Sequence, residues 1–131
     1  MIRILLLTLL ASCLAFAVDS LIGQAGLPFT QVPKEFPPFT LLPILSGAVG
    51  GPLLALLSYS IIQAAFTQPE KKFLFLAVAA LALSFALPLR LSSTKSPRFA
   101  GVTPTAQMVQ VLMHTIVATI TVAALLAKPN R

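Results

Sequence analysis

Residues 41–66 read LLPILSGAVGGPLLALLSYSIIQAAF, a run without a single Asp, Glu, Lys, Arg or His. A hydrocarbon core about 30 Å thick is crossed by about 20 helical residues at about 1.5 Å each, so this stretch is long enough to span a bilayer. Three further apolar stretches accompany it, Ile4 to Ile22, Phe73 to Leu91 and Thr105 to Ala127. The short segments between them hold nearly all of the charge and proline. The pattern predicts an all-α, polytopic membrane protein, an antiparallel up-down four-helix transmembrane bundle, because each connector is short. Residues 1–131 form one transmembrane domain, with a proline-rich connector at 27–40.

The composition leaves little for a soluble domain. Hydrophobic residues make up 57% of the chain and charged ones 9%, and the mean hydropathy is +0.96. Nine Lys and Arg against three Asp and Glu give a net charge of +6. The basic residues sit at the ends of the apolar stretches, so the lipid bilayer with its anionic headgroups is the expected partner. No basic run interleaves with aromatics, and nucleic-acid binding is not expected. Arg3, Lys71, Lys72, Lys128 and Arg131 fall on one side of the topology; Lys34, Arg90, Lys95 and Arg98 fall on the other. That asymmetry favours both termini in the cytoplasm, with the chain in the plasma membrane.

Cys13 is the only cysteine, so no disulfide forms within the chain, and no Cys/His cluster offers a metal site. Met1-Ile2-Arg3 and the apolar run after it resemble the start of a signal peptide, and Leu10-Ala11-Ser12-Cys13 matches a lipobox. The apolar run nevertheless continues to Ile22, which favours an uncleaved first span. Trp is absent and Tyr59 is the only tyrosine, so Phe29, Phe36, Phe39, Phe66, Phe73 and Phe99 stand in as aromatics near the helix ends.

Turn chemistry divides the spans. Gly23 and Gly26 weaken the first helix and Pro28 is expected to stop it. Pro28, Pro33, Pro37 and Pro38 predict a stiff, extended connector along the headgroup region. Thr40 is expected to cap the second span. Thr67 and Glu70 fit a capping box for the third, and Thr103 before Pro104 caps the fourth. In the second span Gly47 and Gly51 form a GxxxG pair, and Ser46 with Gly50 forms a second small pair. Both are expected to admit a close neighbouring helix. Pro52 is expected to kink that span.

Ionisable groups inside a span are costly and mark function. Asp19 and His114 are the two candidates. Spacings of three, four and seven residues set Gln107, Gln110, His114 and Thr121 on one face of the last span, a polar stripe turned toward the bundle interior. If the first span ends near Ile22, Asp19 lies close to a surface, within reach of Gln107, Gln110 or Arg90 and remote from His114. For His114 the readings are a neutral imidazole bonded to a neighbouring helix, an axial ligand, a proton relay or part of a ligand pocket. No catalytic constellation and no cofactor are expected.

A first span ending in a polar residue, an aromatic and proline-containing entry to the second, a tight turn with Pro69, Lys71 and Lys72, and a last span with Leu112-Met113-His114 together resemble a family of uncharacterised small bacterial four-helix integral membrane proteins. The Met113-His114 pair is the most specific element of the likeness. The Gly47 to Pro52 cluster and the four-proline connector have no match in it. The resemblance implies topology and a bacterial source and transfers no catalytic residue. Two functions compete. The first is a structural or accessory subunit that packs with itself, as a homo-oligomer, or with a larger membrane complex. The second is a bundle that handles a small molecule or protons through His114, Gln110 and Asp19. A lipid-acting membrane enzyme is a weaker third.

Overall fold

The computed structural model describes residues 2–127. Among them lie α1 (Ile2–Thr30), α2 (Leu41–Ala65), α3 (Pro69–Ser84), α4 (Ala86–Arg90) and α5 (Pro104–Leu126), and no strand. Short 3-10 turns cover Pro37–Phe39, Leu91–Ser93 and Pro97–Phe99. With α3, α4 and the turn after them counted as one bent segment, Pro69–Ser93, the described residues hold four helical segments long and apolar enough to cross a membrane. Lys128 and Arg131 of the charge count lie outside the described residues.

The first helix is two turns longer than its glycines and proline suggest. It runs through Gly23, Gly26 and Pro28 to Thr30. Its end is set by a distant residue. The Thr103 hydroxyl donates to the Thr30 carbonyl at 2.6 Å, satisfying one of the terminal acceptors of α1. Gln31 then takes a left-handed φ of 55° and closes the helix. The same Thr103 oxygen accepts from the Ala106 backbone at 3.2 Å, so one side chain caps α5 and ties its start to the end of α1.

Gly23 and Gly26 act as points of close approach. A Cβ at Gly23 would meet Ile44 Cδ1 at 3.4 Å and Phe39 at 3.9 Å, and one at Gly26 would meet Val109 at 3.5 Å. They continue a seam of small and polar residues, Thr8, Ala11, Ser12, Ala15 and Asp19, that forms the buried face of α1. Small residues spaced along one face let helix backbones approach closely. This one lies against α5 and α2.

The small residues of α2 do not pack this way within the chain. A Cβ at Gly47 or Gly50 would meet nothing within 4 Å, and one at Gly51 would meet only the Val117 side chain at 3.7 Å. Ser46 is exposed and spends its hydroxyl on its own helix, at the Leu42 and Pro43 carbonyls. Accordingly, Gly23→Leu is expected to cost about 1–3 kcal/mol by overpacking, whereas Gly47→Leu leaves stability nearly unchanged. Unfolding in detergent micelles compares the two, and equal losses would contradict the assignment of the seam to α1.

The connector is no surface strap. Its Phe36 and Phe39 are buried and join Val32, Ile44, Ala106 and Met113 in a cluster at that end of the bundle. Phe36 meets Phe39 edge-on at 5.4 Å and Phe99 at 6.5 Å. Prolines at 33, 37 and 38 hold the turn that carries both rings inward. The Thr40 hydroxyl donates to the Pro37 carbonyl at 2.7 Å, so Thr40 sits at the cap position of α2 without capping an amide.

The third segment differs from the expected span of 73–91 in two ways. Gln68, not Thr67, is the cap residue, without a side-chain bond, because Pro69 occupies the first helical position. The segment also breaks at Phe85 between α3 and α4. Pro88 offers no N–H to the Ser84 carbonyl, and its ring crowds that carbonyl, which accounts for the break.

The exposure pattern is inverted relative to a water-soluble bundle. Leu10, Leu21, Phe75 and Leu83 face outward, while Thr8, Ser12, Asp19, Thr30, Gln110 and Thr121 are buried. A second apolar cluster, Tyr59, Ile62, Phe73 and Leu125, closes the end opposite the connector.

Candidate functional site

Between the two clusters the helices stand apart. α3 touches α2 and α5, yet Phe73 is its only buried residue. At one end it is held by Phe73 against Tyr59, with ring centres 4.9 Å apart. At the other, Gln107 Nε2 donates to the carbonyls of Pro88 at 2.9 Å and Leu89 at 3.2 Å. These belong to the last turn of α4, where the Pro88 carbonyl also accepts from the Leu91 backbone N–H. Between these clamps the facing residues are short: Gly47, Gly51 and Ala55 on α2, Ala77 and Ala80 on α3, Ala118 on α5. Such side chains do not reach across the gap. The result is a cavity of about 970 Å³, at the upper end of the range of about 300–1,000 Å³ common for ligand sites.

Four of the five residues marked by the polar pattern line this cavity: Asp19, Gln110, His114 and Thr121. Gln107 does not, since its amide is engaged with α4. Asp19 is 4% exposed and Gln110 7%, and Asp19 Oδ1, Gln110 Nε2 and Thr121 Oγ1 are enclosed without a hydrogen-bond partner. Unpartnered buried polar atoms are uncommon and costly, about 1–3 kcal/mol each. Three such atoms belong to residues of one cavity wall.

The depth of Asp19 is also corrected. Counted from the Thr30–Thr103 tie, Asp19 lies eleven residues back along α1 and His114 eleven residues forward along α5. Each is about 16 Å from that end at about 1.5 Å per residue. The two therefore share a level, and the separation expected from a first helix ending near Ile22 disappears with that helix end. The imidazole is not pinned to a neighbouring helix. Among the described residues the side-chain hydrogen bonds of α5 and its cap come from Thr103, Gln107, Thr115 and Thr119. His114 is exposed and lines the cavity.

Among the described residues the charged lining is two arginines and one carboxylate. Arg90 at the end of α4 and Arg98 in the loop before α5 stand at the connector end, beside Thr94 and Phe99, and Asp19 lies deeper. Arg98 carried no signal beyond its place in the charge count. The clue was available in the two basic residues that flank a short loop next to an uncharged span. Among the described residues no three His, Cys, Asp or Glu side chains gather as a metal site. Comparison with protein-family models, with curated proteins and with solved structures found no match.

Proposed function

We propose that this chain is a multi-pass protein of the plasma membrane that takes a small molecule into the cavity between α2, α3 and α5. The observation that carries the reading is the wall itself: Asp19, Gln110, His114 and Thr121 gather on one otherwise apolar cavity, and Asp19 and Gln110 are both more than nine-tenths buried. An apolar cavity with a few convergent polar groups is the usual form of a small-molecule site. The outward-facing Leu and Phe side chains support the membrane setting, since lipid tails solvate them where water does not. Up-down order follows from the short connectors, with both termini cytoplasmic by the basic-residue asymmetry. The resemblance to small bacterial four-helix membrane proteins fits this topology and a bacterial source.

The test fills the cavity. Ala77→Phe with Ala118→Phe places two rings in it from opposite walls. Wild-type protein purified in mild detergent is expected to carry a bound non-protein mass in native mass spectrometry, and the double variant to lack it at unchanged oligomer size. A wild type that carries nothing, and that gains no thermal stability from any added metabolite or lipid extract, would remove this reading.

A second reading, a subunit that packs with itself or a larger complex, keeps support from Ser46 and Gly50. The pair does not line the cavity, Ser46 is exposed and a Cβ at Gly50 would meet open space. A flat small-residue surface of this kind accepts another helix. Gly50→Leu is expected to lower the oligomer mass if association uses that face, and an unchanged mass counts against it.

A further inference from the structure

We infer that the occupant of the cavity is an anionic amphiphile with one acyl chain, its carboxylate or phosphate head held by Arg90 and Arg98 and its chain laid between α2, α3 and α5. The inference rests on the reading of the cavity as a ligand site and adds the class of ligand.

Charge distribution comes first. Arg90 and Arg98 reach the same end of one cavity, and Asp19, the one carboxylate on the wall among the described residues, lies deeper in the bundle. The connector end is thus net positive. Two planar guanidinium forks suit an anionic head, because each can give a carboxylate or phosphate two parallel N–H bonds. Thr94 stands beside them with a hydroxyl, although that hydroxyl donates to the Arg90 carbonyl at 3.1 Å and keeps only its acceptor side free.

Shape comes second. Below the arginines the wall is Leu54, Leu76, Leu81 and Val117 with alanines and glycines between them. Along α5 the lining runs from Gln110 to Val122, twelve residues or about 18 Å. One leaflet's acyl chain occupies about half of a core about 30 Å thick, so one chain fits that length. Phe73 and Val122 stop the far end beside the Tyr59 cluster. Gln110, His114 and Asp19 then stand beside the upper part of the chain or its linkage to the head, where the exposed His114 imidazole can meet an ester or hydroxyl. The head lies at the level of the connector end and the tail inside, which is the orientation a bilayer amphiphile already has when it moves sideways between α3 and its neighbours.

The experiment measures binding of four probes to the full chain in non-ionic detergent by native mass spectrometry: oleate, lysophosphatidylglycerol, lysophosphatidylcholine and monooleoylglycerol. The first two are expected to bind at least about tenfold more tightly than the uncharged monoacylglycerol, with the zwitterion between. Preference for oleate or for the lysophospholipid then tells carboxylate from phosphate. Arg90→Gln with Arg98→Gln is expected to remove the anionic preference, about tenfold or more for each lost charge-assisted pair, and to leave monooleoylglycerol binding unchanged. Lys34→Gln with Lys95→Gln, charges of the same connector end that do not line the cavity, is the control for general attraction to anionic surfaces and is expected to change nothing. Equal binding of all four probes, or equal losses in the arginine and lysine pairs, would overturn the anionic class while leaving a ligand cavity in place. Binding that survives Ala77→Phe with Ala118→Phe would show that the probes sit elsewhere and would overturn the inference together with the cavity reading.

Discussion

Phe36→Ala is expected to destabilise the protein by about 3–5 kcal/mol, the usual range for deleting a fully packed aromatic side chain. The residue is 2% exposed although it lies among three prolines in a connector. Its ring is enclosed by Phe39 and Phe99 and by the cluster that contains Ile44, Ala106 and Met113. Truncation would empty the centre of that cluster, and the prolines stiffen the backbone around it, so collapse into the space is limited. Phe29→Ala is the matched control. Phe29 lies seven residues earlier at the end of α1 and is 76% exposed, so its loss should stay within about 0.5 kcal/mol. Denaturant or thermal unfolding in one detergent compares the two. Similar effects would mean that the connector lies on the surface after all.

That contrast also marks what the sequence could and could not convey. The apolar segments were legible because length and hydropathy are summed over some twenty residues and survive local exceptions. The start of α5 was legible for a different reason: Thr103 before Pro104 is a local signal, and the hydroxyl caps Ala106 as such a signal implies. The end of α1 was not legible. Gly23, Gly26 and Pro28 read locally as a stop, but close contacts with Ile44 and Val109 and the bond from Thr103, 73 residues away, decide it. The depth of Asp19 follows from that end, and a local reading of the glycines places it too near the surface.

The site divides in the same way. A period of 3.6 residues was enough to set Gln107, Gln110, His114 and Thr121 on one face of α5. It could not show that the amide of Gln107 would be taken by the carbonyls of α4, because that depends on the break that Pro88 makes in another helix. The cavity itself has no motif. It arises because alanines and glycines on three helices face one another while Phe73 at one end and Gln107 at the other hold α3 in place. Small residues on α1 let helices touch, and small residues on α2 and α3 leave space. Which of these occurs depends on what fixes the ends of the segments, and single-helix spacing holds no record of that.

The sharpest separation between a site residue and a structural one is expected at Asp19, where Asp19→Ala should stabilise the empty protein by about 1–3 kcal/mol. A buried polar group that earns its place structurally is hydrogen-bonded, and its removal leaves partners stranded. Asp19 Oδ1 has no such partner, so removal deletes a desolvation cost without creating a new one. The substitution also fits its surroundings, since Ala15 and Gly23 one turn to either side already belong to the buried small-residue seam of α1. The opposing loss is the few contacts of a short side chain, smaller than the cost of the unpartnered oxygen. Groups that weaken a fold while facing a cavity are characteristic of sites where function competes with stability. The same variant is therefore expected to bind any polar occupant of the cavity less tightly while melting at a higher temperature. Unfolding in detergent without added ligand gives the first sign, and native mass spectrometry the second. A variant that melts lower and still retains its ligand would show Asp19 to be a structural residue of the α1 seam, and the polar wall would then rest on Gln110, His114 and Thr121 alone.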